Sequence, residues 1–202
     1  LKIEGHLMKK MICVLYLLIA SVVGIYAKPS IIMDKTTDSI RIIQTERTTH
    51  IFPYKKAWTD CGLSLICIKN INTQETYYGI QVYIYDRDTE IAKGNRLLLK
   101  LKNDDIITLF SKDFYSPEEI ERRSNIFGAV IDRTYVVVPY YTILEEQINE
   151  IINSNVTKVR VETKDDQFDG NVYNTKFSDC IKDDYNLIQS VIENDKSIYD
   201  DF

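Results

Sequence analysis

Short segments in which apolar and polar side chains alternate recur through the middle of this 202-residue chain. In the clearest of them, Ile80, Val82 and Ile84 fall on one face of an extended chain, while glutamine and tyrosine side chains fall on the other. A β-strand repeats every two residues, whereas an α-helix repeats every 3.6 residues. The pattern therefore predicts antiparallel sheet with one face turned towards a core.

Alternation and β-branched runs predict several more strands. The polar segment Lys102 to Asp105 separates two of them and has the composition of a tight hairpin turn. Pro139 lies inside another and indicates an edge position or a bulge, because proline cannot donate to a ladder. The predicted strands are Ile40–Glu46, Leu63–Lys69, Tyr77–Tyr85, Arg96–Lys102, Ile106–Phe110, Thr134–Tyr141 and Thr157–Thr163.

The first of three predicted helices follows Ser116. This residue suits an N-cap, Pro117 suits the first helical position and Glu119 completes a capping box. The residues from Ile120 to Ser124 are mostly charged. We therefore expect this helix to be short and exposed.

Two further helices are predicted from capping and from apolar spacing. Thr142 and Glu145 repeat the capping box before a helix that ends near residues 153–155, and the last helix covers Lys176–Glu193. Their apolar stripes are Leu144, Ile148, Ile151 and Ile152 in the first, and Phe177, Ile181, Ile188 and Ile192 in the second.

These elements predict an α+β fold of mostly antiparallel β-sheet packed on one side by two helices. A β-sandwich with peripheral helices is the alternative. The strand–helix–strand succession over residues 134–163 indicates a parallel crossover, normally right-handed. We expect a mobile leader at residues 28–39, one globular domain at 40–193 and a fraying acidic tail at 194–202.

Residues 1–27 have the pattern of upstream residues followed by a secretory signal peptide. Lys9 and Lys10 give a basic start, an apolar run extends from Ile12 to Ala27, and Lys28 marks the polar boundary. A retained anchor is the alternative, but the run is shorter than the roughly 20 residues that span a bilayer. We expect cleavage of a signal at about residues 8–27, export to the periplasm or the cell exterior, and no stable membrane span.

The net charge limits the class of partner, and the number of cysteines limits the disulfides that can form. The formal net charge of −5 argues against a nucleic-acid partner, which requires a basic surface. Removal of the expected signal peptide leaves Cys61, Cys67 and Cys180, which allow at most one internal disulfide. If Cys61 and Cys67 lie on one continuous strand, they are too far apart to bond. A bond to Cys180 stays open, beside the alternative of three small buried apolar residues.

The sequence assigns no catalytic residue. His50 is the one histidine left after removal of residues 1–27. It lies in no recognisable nucleophile motif and is expected in a turn or an edge strand. Adjacent carboxylates such as Glu118-Glu119, Glu145-Glu146 and Asp183-Asp184 fall on predicted helices. There they complement the helix dipole or face solvent. An enzyme is therefore less favoured than a binding protein.

One segment offers a weak metal candidate. Asp165 and Asp169 would take the first and fifth positions of a calcium loop, and Gly170 would provide its sharp turn. The twelfth position holds Lys176 instead of a bidentate glutamate, and the segment follows a strand. An ordinary polar turn between strand and helix is the favoured interpretation, with no required cofactor.

Tyrosines on the predicted strands are the candidate binding residues. Tyr83 and Tyr85 share the polar face of their strand, where aromatic side chains can bind a protein or a sugar. Plain strand packing is the alternative. We expect a non-enzymatic module that binds an envelope protein or a glycan. A carboxylate-based hydrolase with a concave acidic pocket, and an inhibitor or immunity-like protein for a basic toxin, are the alternatives.

Several segments of the second half carry a resemblance. They are Tyr140-Tyr141-Thr142-Ile143, Glu146-Gln147-Ile148, Val156 to Thr163 and the hairpin from Asn95 to Leu109. In these segments the chain resembles small exported proteins of Bacteroidetes-type bacteria that have no assigned activity. The resemblance implies an envelope or secreted location and no catalytic residues.

Overall fold

The computed structural model describes residues 29–54, 59–124 and 130–200. The strands are β1 (Ile31–Thr36), β2 (Ile40–Thr45), β3 (Thr48–Tyr54), β4 (Thr59–Asn70), β5 (Thr76–Tyr83), β6 (Arg96–Leu101), β7 (Ile106–Phe110), β8 (Glu118–Ser124), β9 (Val130–Val136), β10 (Tyr140–Ile143), β11 (Val156–Glu162) and β12 (Gln167–Asn171). The helices are α1 (Glu145–Ser154) and α2 (Lys176–Asp200). The signal peptide expected at residues 8–27 lies outside the described residues.

The large sheet has the order β1-β2-β4-β5-β10, and β3 also pairs with β4. All of its pairs are antiparallel. Ile80, Val82 and Ile84 are fully buried, so the alternation in β5 is confirmed. One face of this sheet is therefore the core face, and the other, which we call the outer face, carries the side chains at alternate positions.

The small sheet has the order β12-β11-β6-β7 and is also antiparallel. Leu97, Leu99 and Leu101 point into the core, as the alternation predicted. The hairpin between β6 and β7 is confirmed as well, with Asp104 at φ 70° in its turn. Aspartate is among the few residues that adopt this conformation readily.

The two helices and both sheets share one continuous core. Helix α2 packs against β2, β3 and β4, and α1 packs against α2. The predicted stripe of α2 is confirmed, since Phe177, Ile181, Ile188 and Ile192 are buried. The α+β class is thus confirmed. Within the described part of the chain, no helix is both long enough and apolar enough to cross a membrane.

The start of α1 differs from the prediction. Its N-cap is Leu144 and not Thr142, and the Leu144 backbone N–H donates to the Gln147 side chain at 3.0 Å. Leu144 is 60% exposed and is not part of the apolar stripe, whereas Ile148 and Ile151 are buried. Gln147, two residues after the expected Glu145, accepts the hydrogen bond from the N-cap backbone. The N-cap therefore lies two residues later than predicted.

The predicted parallel crossover is wrong. β10 pairs with β5 in the large sheet, whereas β11 pairs with β6 and β12 in the small sheet. The succession of strand, helix and strand is present, but it passes from one sheet to the other. The order of elements along the chain does not fix sheet membership, which depends on strands more than 50 residues away.

The helix predicted after Ser116 is also wrong. Glu118–Ser124 is strand β8, which pairs antiparallel with β9. The segment has capping residues, but Ile120 is its one apolar side chain and a helix here would bury no stripe. In the hairpin, Glu119 instead lies 3.4 Å from Arg133 and accepts a hydrogen bond from Tyr135 at 3.3 Å.

Three further segments differ from the sequence analysis. The strand expected over Thr134–Tyr141 divides into β9 and β10, and the Pro139 carbonyl between them accepts a hydrogen bond from the Val82 N–H at 3.2 Å. The segment expected as a mobile leader pairs with β2 over Ile31–Thr36. The tail expected to fray continues α2 as far as Asp200.

Candidate functional site

The outer face of the large sheet carries the tyrosines singled out in the sequence. Tyr77 and Tyr83 alternate with the buried residues of β5 and therefore point away from the core. Tyr77 is 51% exposed, and Tyr83 and Tyr85 are half-buried. Tyr83 and Tyr85 lie where β5 ends.

Arg47 joins these two tyrosines in a compact cluster. Its guanidinium carbon lies 5.4 Å from the centre of the Tyr83 ring and 5.2 Å from that of Tyr85. Both distances suit attraction between a cation and an aromatic ring. We call Arg47, Tyr83 and Tyr85 the Arg–Tyr cluster.

Gly62 provides the space in which Arg47 reaches the rings. Gly62 lies opposite Tyr83 in the β4–β5 pair. A Cβ placed on Gly62 would come within 3.0 Å of the Arg47 side chain and 2.8 Å of the Thr48 carbonyl. Because glycine leaves this space empty, the aliphatic part of Arg47 lies against the sheet backbone.

A hydrogen-bond network fixes Tyr83 beneath the arginine. The Tyr83 hydroxyl donates to Gln81 at 3.1 Å and accepts from Gln44 at 3.2 Å. Gln44 also donates to Gln81 at 2.9 Å, and Ser64 lies 3.4 Å from the same hydroxyl. These partners come from β2, β4 and β5, so the ring has a defined place on the sheet.

A second candidate lies on the core side, where α2 meets the sheet. Asp184 is 1% exposed and accepts a hydrogen bond from the Thr45 hydroxyl at 2.7 Å. Burial raises the pKa of Asp184 to about 7, although the hydrogen bond from Thr45 opposes this shift. The Cys180 thiol lies 3.8 Å from the same carboxyl oxygen.

A small acidic cavity adjoins Asp184. Its volume is about 40 Å³. Its lining residues are Pro29, Thr48, Lys176, Asp179, Cys180, Asp183 and Asp184. A volume of this size holds about a water molecule, whereas sites for small organic ligands measure some hundreds of Å³.

The cysteines are buried thiols. Cys61, Cys67 and Cys180 are each buried and form no disulfide, which confirms the interpretation as small buried residues. Burial raises the pKa of Cys67 to about 12 and raises that of Cys180 further. A thiol held protonated in this way is a poor nucleophile.

The two aspartates of the calcium hypothesis lie in different elements, one in a turn and one in a strand. Asp165 is exposed in the turn before β12, and Asp169 lies within β12. Arg160 and Lys158 contact the Asp169 carboxylate at 2.5 and 2.8 Å and hold its pKa well below the ordinary range. The segment is a β-hairpin and not a loop into a helix. Among the described residues, no group of three metal-ligating side chains is present.

Sequence reasoning missed two residues of these sites. Arg47 is 36 positions from Tyr83, and its approach depends on the pairing of β2 and β3, the strands on either side of it, with β4. Asp184 was expected to face solvent with Asp183, but it is buried. The helical spacing held a signal, because Asp184 lies between Ile181 and Ile188 on the apolar stripe.

Comparison with known proteins gives no match to a family model, to a curated protein or to a solved structure.

Proposed function

We propose that the chain is a non-enzymatic binding module whose Arg–Tyr cluster binds a protein partner through one of the partner's carboxylates. The observation that supports this most is the exposed Arg47 guanidinium held over two tyrosine rings. Arginine and tyrosine, together with tryptophan, are enriched at the energetic centre of protein interfaces. A guanidinium also binds a carboxylate through two parallel hydrogen bonds.

The cluster is arranged before any partner arrives. Tyr83 is fixed by Gln44 and Gln81, and the stem of Arg47 lies against the backbone at Gly62. Ordering a long side chain costs roughly 0.5–1.5 kcal/mol on association. A side chain already placed against the sheet loses less of this freedom when it binds.

A carboxylate-based hydrolase is less well supported. It requires a concave acidic pocket with a carboxyl group of raised pKa, and Asp184 beside its cavity has both features. The cavity of about 40 Å³ is too small for a substrate, however, and the hydrogen bond from Thr45 engages the carboxylate in the core. The alternative of an inhibitor for a basic toxin predicts that the captured partner is a basic protein.

The proposal is tested by affinity capture from an extract of the producing cells, with the wild-type chain and its variants used as bait in parallel. Arg47→Ala and the pair Tyr83→Ser with Tyr85→Ser should abolish specific capture of one protein and leave the fold intact, as judged by circular dichroism and urea unfolding. Arg47→Lys should also weaken capture at least about tenfold, because lysine keeps the charge but loses the planar fork and the ring stacking.

Phe110→Ser is the matched control. Phe110 is 56% exposed on the small sheet, so this change removes a similar area of exposed ring elsewhere. Capture that persists in the cluster variants would contradict the proposal. A captured glycan in place of a protein would show that the cluster binds a different class of partner.

We propose in addition that the protein acts after export, because the N-terminal residues have a signal-peptide pattern. Mass spectrometry of the native product should find an N-terminus close to Lys28. A product that retains residues 8–27 would contradict this part of the proposal and would leave the Arg–Tyr cluster unaffected.

A further inference from the structure

The β8–β9 hairpin stands apart from both sheets. Among the described residues its strands pair with each other alone, and the chain returns to the large sheet at the bridge between Val137 and Ile84. A two-stranded hairpin without a third strand or a packed face is marginally stable in water. The outer edge of β8 presents backbone donors and acceptors that another strand can satisfy.

The charge along β8 changes sign from its beginning to its end. Glu118 and Glu119 open the strand, and Arg122 lies near its end with an exposed side chain. Within the hairpin, Arg122 lies directly opposite Arg133. Like charges in that position destabilise a strand pair, and of the two arginines Arg133 has Glu119 of the same hairpin at 3.4 Å.

A bulge places Glu119 and Arg122 on one face of β8. Glu119 lies opposite Tyr135 and Arg122 lies opposite Arg133, with a register shift between Glu119 and Glu121. Tyr135 and Arg133 are two residues apart on β9 and share a face, so their partners share it too. Two residues that lie opposite each other across an antiparallel strand pair must be on the same face of the sheet. Glu119 and Arg122 meet this condition for pairing between two copies of β8.

We propose that β8 pairs antiparallel with β8 of a second copy of this chain and forms a four-stranded sheet across a two-fold axis. Glu119 of one copy then lies opposite Arg122 of the other, and the symmetry makes this pair twice. Each incoming carboxylate gives Arg122 a partner of opposite charge, and Glu119 keeps its contact with Arg133 of its own chain at 3.4 Å. The Arg–Tyr cluster is on the large sheet, so this inference does not depend on the proposed function.

The oligomeric state of the full chain tests the proposal, by sedimentation equilibrium and light scattering over a range of concentrations. The informative variant is Arg122→Glu. This change places a carboxylate opposite Arg133 within the hairpin, which should stabilise the hairpin. In the dimer, the same carboxylate lies opposite Glu119 of the second copy, which should repel it. We expect the dimer dissociation constant to rise about tenfold or more, as two exposed pairs become repulsive. Resistance to urea in the monomer should not fall.

A charge exchange and a matched control complete the experiment. Glu119→Arg combined with Arg122→Glu restores opposite charges between copies and should restore the dimer. Lys112→Glu makes a similar change of charge at an exposed residue outside β8 and should leave the dimer as it is.

A wild-type chain that stays monomeric at high concentration would overturn the proposal, and the charges of β8 would then serve to protect an edge from pairing. A dimer that tolerates Arg122→Glu, or one that the charge exchange does not restore, would equally overturn it.

Discussion

Gly79 allows a tyrosine ring to lie on the large sheet. A Cβ built on this residue would come within 2.1–2.4 Å of two ring carbons and the hydroxyl oxygen of Tyr140. The ring therefore occupies the space that a side chain on β5 would fill. Aromatic rings that cover a strand glycine in this way compensate for the packing that the glycine lacks.

We predict that Gly79→Ala lowers the free energy of unfolding by about 1–3 kcal/mol, because the Tyr140 ring must leave its place. In a Tyr140→Ala background the same change should be neutral or stabilising, since alanine is the better strand residue. Urea unfolding of the four proteins measures both effects. An equal cost in both backgrounds would mean that the ring is not the cause.

At the scale of the elements, local patterns predicted what each segment buries but not what it pairs with. The alternation around Val82 and Leu99 identified β5 and β6 because each side chain has its own face, whatever the partner strand. Capping residues at Ser116 were misleading, because a cap contributes only about 1 kcal/mol, which does not hold a short helix that has no apolar stripe to bury. Arg47 was missed because no local pattern shows which strand will lie beside it.

A buried hydrogen bond joins helix α2 to the small sheet. The Ser178 hydroxyl accepts from the Val156 N–H at 2.9 Å, and both residues are buried. We predict that Ser178→Ala costs about 1–3 kcal/mol of unfolding free energy, because the amide is left without a partner in the core. Ser190→Ala, at an exposed serine of the same helix, is the control and should change stability by less than about 0.5 kcal/mol. Equal effects in urea unfolding would argue against the assigned bond.

At the scale of the whole molecule, protonation of Asp184 is coupled to the free energy of unfolding. Its carboxyl lies where α2 crosses β2 and β4, between Thr45 and the Leu65 backbone that donates to Thr45 at 2.9 Å. Its pKa is about 7 in the folded chain against an ordinary value of 3.8. The folded state therefore binds a proton more tightly than the unfolded state does.

We predict that this residue makes the free energy of unfolding fall as pH rises from about 4 to about 7, by up to about 1.4 kcal/mol per pH unit, and level off above that. Asp184→Asn cannot ionise, so its stability relative to wild type should increase over the same range. Urea unfolding between pH 4 and pH 8 measures this. Asp165→Asn, at an exposed carboxylate in the turn before β12, should follow the wild-type profile. A constant difference between Asp184→Asn and wild type would refute the assignment.

The burial of Cys61, Cys67 and Cys180 has a consequence for how the chain meets an oxidant. While the fold stays closed, a peroxide or an external disulfide has no accessible thiolate to react with among these three cysteines. Once the chain opens, any bond between two of them leaves a third to link with another molecule. Opening in an oxidising medium is therefore a one-way event, and the lifetime of the folded molecule there depends on how rarely it opens.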